Sequence, residues 1–500
     1  MDAGLYTKWG DEHFALGRLD EAMAAYRKAL ALQPGFPQAR MGLDSVLEQA
    51  HSDRPNEQLI ALLLEAYDDP GANWFAIGWP SALQLNVGWP ASPTPEAMAG
   101  NRLLIEFLSK SLNRHAGLER KLVALRDATA KALQQPASLD EVKANEVTAL
   151  ASAFAEQAWH NEYIWPDDPS VPDGPVGAMY RPQSELRPET VEERRLAAGL
   201  PELAPITDAV SQSVAAMYEA NPYPRWTHLP RHQRHDVRAA LMRNIPHAKQ
   251  IAFDGPLAVL MPGAGTGQHP LSVASRYENV QVTAVDLSRA SLAYGKRMAA
   301  KLGIDNIDFI RGDILDLSKL GRTFDHAECV GVLHHMADPK AGLLAISQVM
   351  RPGAFVRIGL YGESARRLVV QAREAIAAAK VPATLEGLRD FRQRVLNGKW
   401  KRLAKLADWE DFWSASLLRD LCFHVQEHRF TVQRLRSFLD GSGLTFLSFD
   451  FDGIKDASPL QHYRARFPME RTFARLDNWE QLEREKSNLF RGYAFICQKD

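Results

Sequence analysis

A short apolar run, Leu257 to Met261, is followed at once by Gly263-Ala264-Gly265-Thr266-Gly267, and this junction constrains the fold more than any other stretch. Glycines let the backbone turn tightly and approach a ligand with no side chain in the way. Beyond it the chain alternates. A helix-like run leads to a second strand, Gln281 to Val285, ending at Asp286; Ser288 to Leu302 reads as a helix and Ile307 to Ile310 as a third strand, ending at Gly312-Asp313. Phe324 to Val332 reads as a fourth strand, Ala341 to Met350 as a helix and Phe355 to Tyr361 as a fifth strand. A helix over Thr431 to Leu439 and strands over Leu444 to Phe451 and Gly492 to Lys499 complete the series. Such alternation predicts an α/β fold with a doubly wound, mainly parallel sheet and right-handed crossovers. Asp286 falls 19 residues past Gly267, where a carboxylate can accept from both ribose hydroxyls. Gln268 stands where a dinucleotide turn of the form G-x-G-x-x-G has its last glycine, and no Lys-Ser/Thr pair follows, which excludes a P-loop.

The region before this sheet reads as all-α. Gly10, Gly17, Ala22, Tyr26, Ala29 and Pro34 have the spacing of one tetratricopeptide repeat, which residues 3–36 resemble. Small residues let two antiparallel helices approach, Tyr26 fills the gap between them, and Pro34 ends the second. A second repeat begins at Phe36 and loses the pattern around His51 to Asn56. One repeat cannot bury both faces, so further helices must stack on it. Glu57 to Tyr67, Glu96 to Leu112, His115 to Gln134 and Ser138 to Trp159 supply the required spacing, with Ser138 or Asp140 as a cap near Leu139. Residues 1–165 are therefore expected as a helical domain. The prolines at 166, 169, 172, 175 and 182 make 166–190 a linker or, alternatively, an ordered arm wrapping one domain. Residues 191–500 are expected as the α/β domain, with a helical insert at about 363–430.

Composition narrows the setting. Charged residues make up 24% and hydrophobic residues 46% of the 500, which argues against wholesale disorder. The net charge of −2 provides no general drive toward nucleic acid or an anionic membrane. No run near the start approaches the roughly 20 apolar residues of a spanning helix, and the N-terminus lacks the pattern of a signal peptide. Three cysteines form neither a disulfide framework nor a metal-ligand pair. A cytoplasmic location with no membrane partner and no bound metal is the expectation.

Five segments in fixed order resemble the class I S-adenosylmethionine-dependent methyltransferases. They are LMPGAGTGQ, Val285-Asp286-Leu287, Gly312-Asp313-Ile314, CVGVLHHM from Cys329 to Met336, and Arg351-Pro352-Gly353, together covering about Asp254 to Gly362. The resemblance implies a Rossmann-like, seven-stranded sheet and S-adenosyl-L-methionine as cofactor. It places Gly263, Gly265 and Gly267 against the methionine and ribose and counts Gln268 among the cofactor-binding residues. It gives Asp286 the ribose hydroxyls, Leu287 the adenine face, Asp313 the adenine amine and Ile314 the ring, with backbone atoms of Cys329 and Val330 near the methionine amino group. Pro262, where many relatives have an acidic or small residue, leaves open what holds the methionine end.

Methyl transfer is an in-line displacement in which alignment does much of the work, and a base is needed only if the acceptor must lose a proton. His334, His335 and Tyr361 lie at the carboxyl edge of the sheet and are the candidate catalytic residues, with a packing and loop-fixing role as the alternative for the histidines. Asn221, Tyr223, Arg225 and Trp226, within YEANPYPRW, form either a lid or an aromatic-proline clamp. His424, Glu427 and His428 match the H-x-x-E-H order of a zinc site, but Thr431 looks like the cap of a new helix, so a turn bearing substrate-side or structural polar groups fits better. The basic run Arg389 to Lys405, including Arg392, reads as a solvated helix face, with a patch for an acidic peptide or an RNA backbone as the alternative. The whole resembles bacterial proteins that fuse tetratricopeptide repeats to a class I methyltransferase. A protein or peptide side chain captured with the help of the helices is the expected acceptor. A small-molecule acceptor, with the helices used for homodimerisation or regulation, and a cofactor-binding scaffold without turnover are the alternatives.

Overall fold

The computed structural model describes residues 2–135, 140–183, 187–237, 248, 255–451 and 458–500. Ser138, Leu139 and Asp254, named above, lie outside the described residues. The chain divides into two compact units: residues 1–187, 225–233 and 376–421 in one, and 188–224, 234–375 and 422–500 in the other.

The first unit is helical. Helices α1 (Ala3–Ala15), α2 (Leu19–Leu32) and α3 (Pro37–Gln49) begin a series that runs through α4 (Glu57–Asp68), α5 (Trp74–Val87), α6 (Pro95–Ala99), α7 (Arg102–Lys110) and α8 (Ala116–Gln134) to α9 (Glu141–His160). Tyr26 of α2 is buried where the three first helices meet. A Cβ on Gly10 or on Gly42 would come within 2.5 or 2.3 Å of its ring, so both positions need glycine for close packing. Asp140 caps α9 by accepting from the Lys143 amide.

Residues 166–183 are an ordered arm on these helices rather than a bare connection. Met179 and Tyr180 are buried, the Tyr180 hydroxyl donates to Asp127 at 2.8 Å, and Arg126 donates to the Pro166 carbonyl at 2.9 Å.

Residues 376–421, anticipated as part of an insert in the α/β domain, pack with the helical unit. The reason is a buried ion pair: Arg392 is fully enclosed, and its guanidinium binds both carboxylate oxygens of Glu119 on α8. Arg389 likewise donates twice to the Tyr163 carbonyl. The solvated-face reading of the basic run therefore fails for these two arginines and holds for Lys399, Lys401, Arg402 and Lys405, which are exposed.

The second unit is built on a seven-stranded sheet, β1 (Leu257–Pro262), β2 (Val280–Asp286), β3 (Ile307–Arg311), β4 (Phe324–Val330), β5 (Met350–Tyr361), β6 (Leu444–Phe449) and β7 (Gly492–Lys499), in the order β3-β2-β1-β4-β5-β7-β6. The first five strands are parallel, and β7 runs antiparallel between β5 and β6. β5 starts earlier than anticipated, at Met350, because Met350 pairs with Phe324 before a bulge resets the register. The strand order reverses between β1 and β4, so the carboxyl ends of these strands frame the crevice in which open α/β sheets bind ligands. Phe324, Ala327, Cys329, Val356, Ile358, Phe495 and Cys497 of β4, β5 and β7 pack in one apolar cluster.

Candidate active site

The turn after β1 places Gly263, Gly265 and Gly267 at φ of 74°, 54° and 83°, a left-handed region that glycine enters without strain. Asp286, at the end of β2, holds this turn: its Oδ2 accepts from the Gly265 amide at 2.8 Å, and its Oδ1 from the Ser288 amide at 2.9 Å. Burial raises the Asp286 carboxyl above its ordinary range, opposed by these two amides. Leu287 beside it is half-buried. Asp313 caps the turn after β3 through the Leu315 amide at 3.0 Å, with Ile314 buried next to it. Cys329 is buried, and burial pushes its thiol up to about 12, while Val330 is 39% exposed at the strand end. Gln268 opens the helix Gln268–Arg276.

On the other side of the crevice the turn after β4 meets the end of β5. The His334 ring stacks on Tyr361 with centroids 3.8 Å apart, and His335 stacks on His424 at 3.6 Å. Segment 424–430 runs beside this turn without helical structure. His428 donates its amide to the His334 carbonyl at 2.7 Å, and Phe430 its amide to Tyr361 at 2.9 Å. His335 Nδ1 lies 2.7 Å from the Gln426 carbonyl, so this nitrogen carries the hydrogen and Nε2 presents a lone pair. The His424 Nδ1 accepts from the Gln426 amide at 3.0 Å, which places its hydrogen on Nε2. Glu427 pairs with Arg366, whose guanidinium lies 4.0 Å over the Tyr361 ring. His334 is wholly buried, and neither ring nitrogen has a hydrogen-bond partner among the described residues. Burial, with His335 and Arg366 close by, holds it well below the usual imidazole range; burial likewise lowers His424 to about 2.

Residues 259–353 match the family model of a methyltransferase domain, and residues 10–48 that of a TPR repeat. The chain carries a methyltransferase domain.

Among curated proteins, the chain is 32% identical over 276 residues to an uncharacterised protein of Synechococcus, covering 49% of this chain and 61% of that one. Over 101 residues it is 34% identical to an O-methyltransferase of Penicillium expansum, covering 19% of this chain and 35% of that one. It is 30% identical over 109 residues, or 22% of this chain, to 46% of a ubiquinone biosynthesis O-methyltransferase of Chromobacterium violaceum. The chain thus spans less than two thirds of each of these relatives. PKMT2 of Rickettsia typhi aligns with a TM-score of 0.40 at 14% identity, over 53% of this chain and 52% of that one.

Within the methyltransferase domain, the glycine turn, Asp286, Leu287, Asp313, Ile314, Cys329 and Val330 come to the carboxyl ends of β1 to β4. His334, His335, Tyr361, His424, Glu427 and His428 form one cluster at β4 and β5, and Tyr218 reaches it with its ring 5.9 Å from His424. Asn221 and Tyr223 belong to the same unit as the glycine turn; Arg225 and Trp226 belong to the helical unit. Arg366, Glu219, Thr266 and Ser288 were missed as site residues. Arg366 had a signal in IGLYGESAR, which follows β5 directly, whereas Glu219 and Ser288 meet 69 positions apart and no spacing announces them. No helix among the described residues is long and apolar enough to cross a membrane.

Proposed function

We propose that this chain is an S-adenosylmethionine-dependent methyltransferase whose acceptor is a protein or peptide side chain, captured with the help of the helical unit. The observation that carries the cofactor reading is the double anchoring of Asp286. A carboxylate offers about four lone-pair positions. Gly265 and Ser288 use part of this capacity, and what remains fits ribose hydroxyls at the switch point of the sheet. The half-buried Leu287 and the buried Ile314 fit an adenine face, and Asp313 fits its amine. A sulfonium zwitterion needs this mixture of hydrogen bonds and apolar wall more than phosphate-binding charge, and no P-loop is present. When bound, the cofactor supplies an electrophilic methyl group.

The chain's own residues then align the acceptor and exclude water. His335 is oriented by the Gln426 carbonyl so that its Nε2 lone pair can take a proton from an acceptor that must lose one. Buried, uncharged His334 acts as a neutral hydrogen-bonding wall rather than as a strong base. The TPR repeat favours a peptide segment as partner. The relatives named O-methyltransferases favour the second reading, a small acceptor with the helices serving dimerisation or regulation.

Incubation with methyl-labelled cofactor and a cell lysate, followed by size fractionation, separates these readings. Label in the macromolecular fraction is expected. Label only in the low-mass fraction overturns the protein acceptor, and label in neither points to a scaffold without turnover.

A further inference from the structure

We propose that residues 218–224 form a strap that completes the cofactor site, with Glu219 as a positioning residue. The inference rests on the cofactor reading above and concerns groups that the family resemblance does not assign.

The strap is fastened at two points. Near its start, Glu219 Oε2 accepts from the Ser288 hydroxyl at 3.0 Å and from the Ala290 amide at 3.1 Å. The second bond satisfies an otherwise unpaired donor in the first turn of the helix Arg289–Leu302. Ser288 in turn donates its amide to Asp286, so Glu219 holds the residue that holds the ribose carboxylate. At its end, the Thr266 amide donates to the Tyr223 carbonyl at 3.1 Å, and the Thr266 hydroxyl donates to the Pro224 carbonyl. Thr266 is fully buried in the middle of the glycine turn, and a Cβ on Gly265 would come within 2.7 Å of the Tyr223 carbonyl oxygen. Gly265 is therefore required by the strap itself. One segment thus fixes both the β1 turn and the β2 turn, the two loops that the cofactor would span.

Titration calorimetry with S-adenosylhomocysteine tests this, alongside hydrogen exchange at the Thr266 amide of the ligand-free protein. Glu219→Ala should weaken binding about tenfold, the loss expected for two hydrogen bonds to a charged acceptor in a partly solvated site. Glu219→Gln keeps an acceptor oxygen and should stay within about twofold of the wild type. Glu219→Ala should also speed exchange at the Thr266 amide. Wild-type affinity and wild-type Thr266 protection in Glu219→Ala would overturn the strap. Failure of the unaltered protein to bind S-adenosylhomocysteine would instead overturn the cofactor reading, and is distinguished because it appears without any substitution.

Discussion

The imidazole of His335 lies face to face with that of His424, ring centroids 3.6 Å apart and planes 23° from parallel. Burial, with His335 alongside, holds His424 well below its ordinary value, and burial lowers neighbouring His334 as well.

A pH dependence follows. His424 has its ordinary value near 6.5 in the unfolded chain and about 2 in the folded protein, so the unfolded state binds the proton first as pH falls. Stability should be fully present above about pH 6.5 and decline below it by roughly 1.4 kcal/mol per pH unit for this group, down to the folded value. His334 adds a loss of the same sign. Denaturant melts at pH 7.5 and pH 5.5 measure it, and His424→Gln should lose less over that interval. A wild type and variant with equal losses would remove His424 as a cause.

The fit of Tyr26 between Gly10 and Gly42 predicts steric cost. Gly42→Ala puts a methyl group 2.3 Å from the Tyr26 ring and should destabilise the protein by about 1–3 kcal/mol. Pairing it with Tyr26→Ala should give less than the sum of the two single effects, since the clash is removed. Thermal melts of the three variants read the difference.

Arg392 and Glu119 make a similar test of buried charge. Arg392→Gln leaves the Glu119 carboxylate enclosed without its partner and should cost about 3–5 kcal/mol. Arg392→Met combined with Glu119→Leu removes both charges and should recover much of that loss, as read by urea unfolding.

These same residues show why some of the structure was legible in the sequence and some was not. The seven strands are legible because each centres on a short, mainly apolar stretch bounded by turn residues, a local signal, whereas the early start of β5 at Met350 depends on pairing with Phe324 and is not. Thr431 was legible as a cap for the same reason, and it accepts from the Arg434 amide as a cap should. Asp286 could be located because the distance from the glycine turn to the end of β2 is set by one strand–helix–strand unit. Arg392 could not be placed, since its partner Glu119 is 273 positions away and basic residues at helical spacing look alike whether solvated or paired. The grouping of 376–421 with the N-terminal helices was hidden for that reason. His334 and Tyr361 were placed at one edge by topology, but their stacking is a side-chain contact that no spacing announces, and the wrapping of 424–430 around them depends on contacts across 91 positions.

The most direct test is calorimetric titration of S-adenosylhomocysteine into the wild type, Asp286→Asn and Asp286→Ala. Binding by the wild type, weakened more than about tenfold in Asp286→Ala and less in Asp286→Asn, which keeps one acceptor oxygen, is expected from the loss of hydrogen bonds to a charged acceptor. Equal affinity in all three, or no binding by the wild type, would refute the assignment of the crevice to this cofactor.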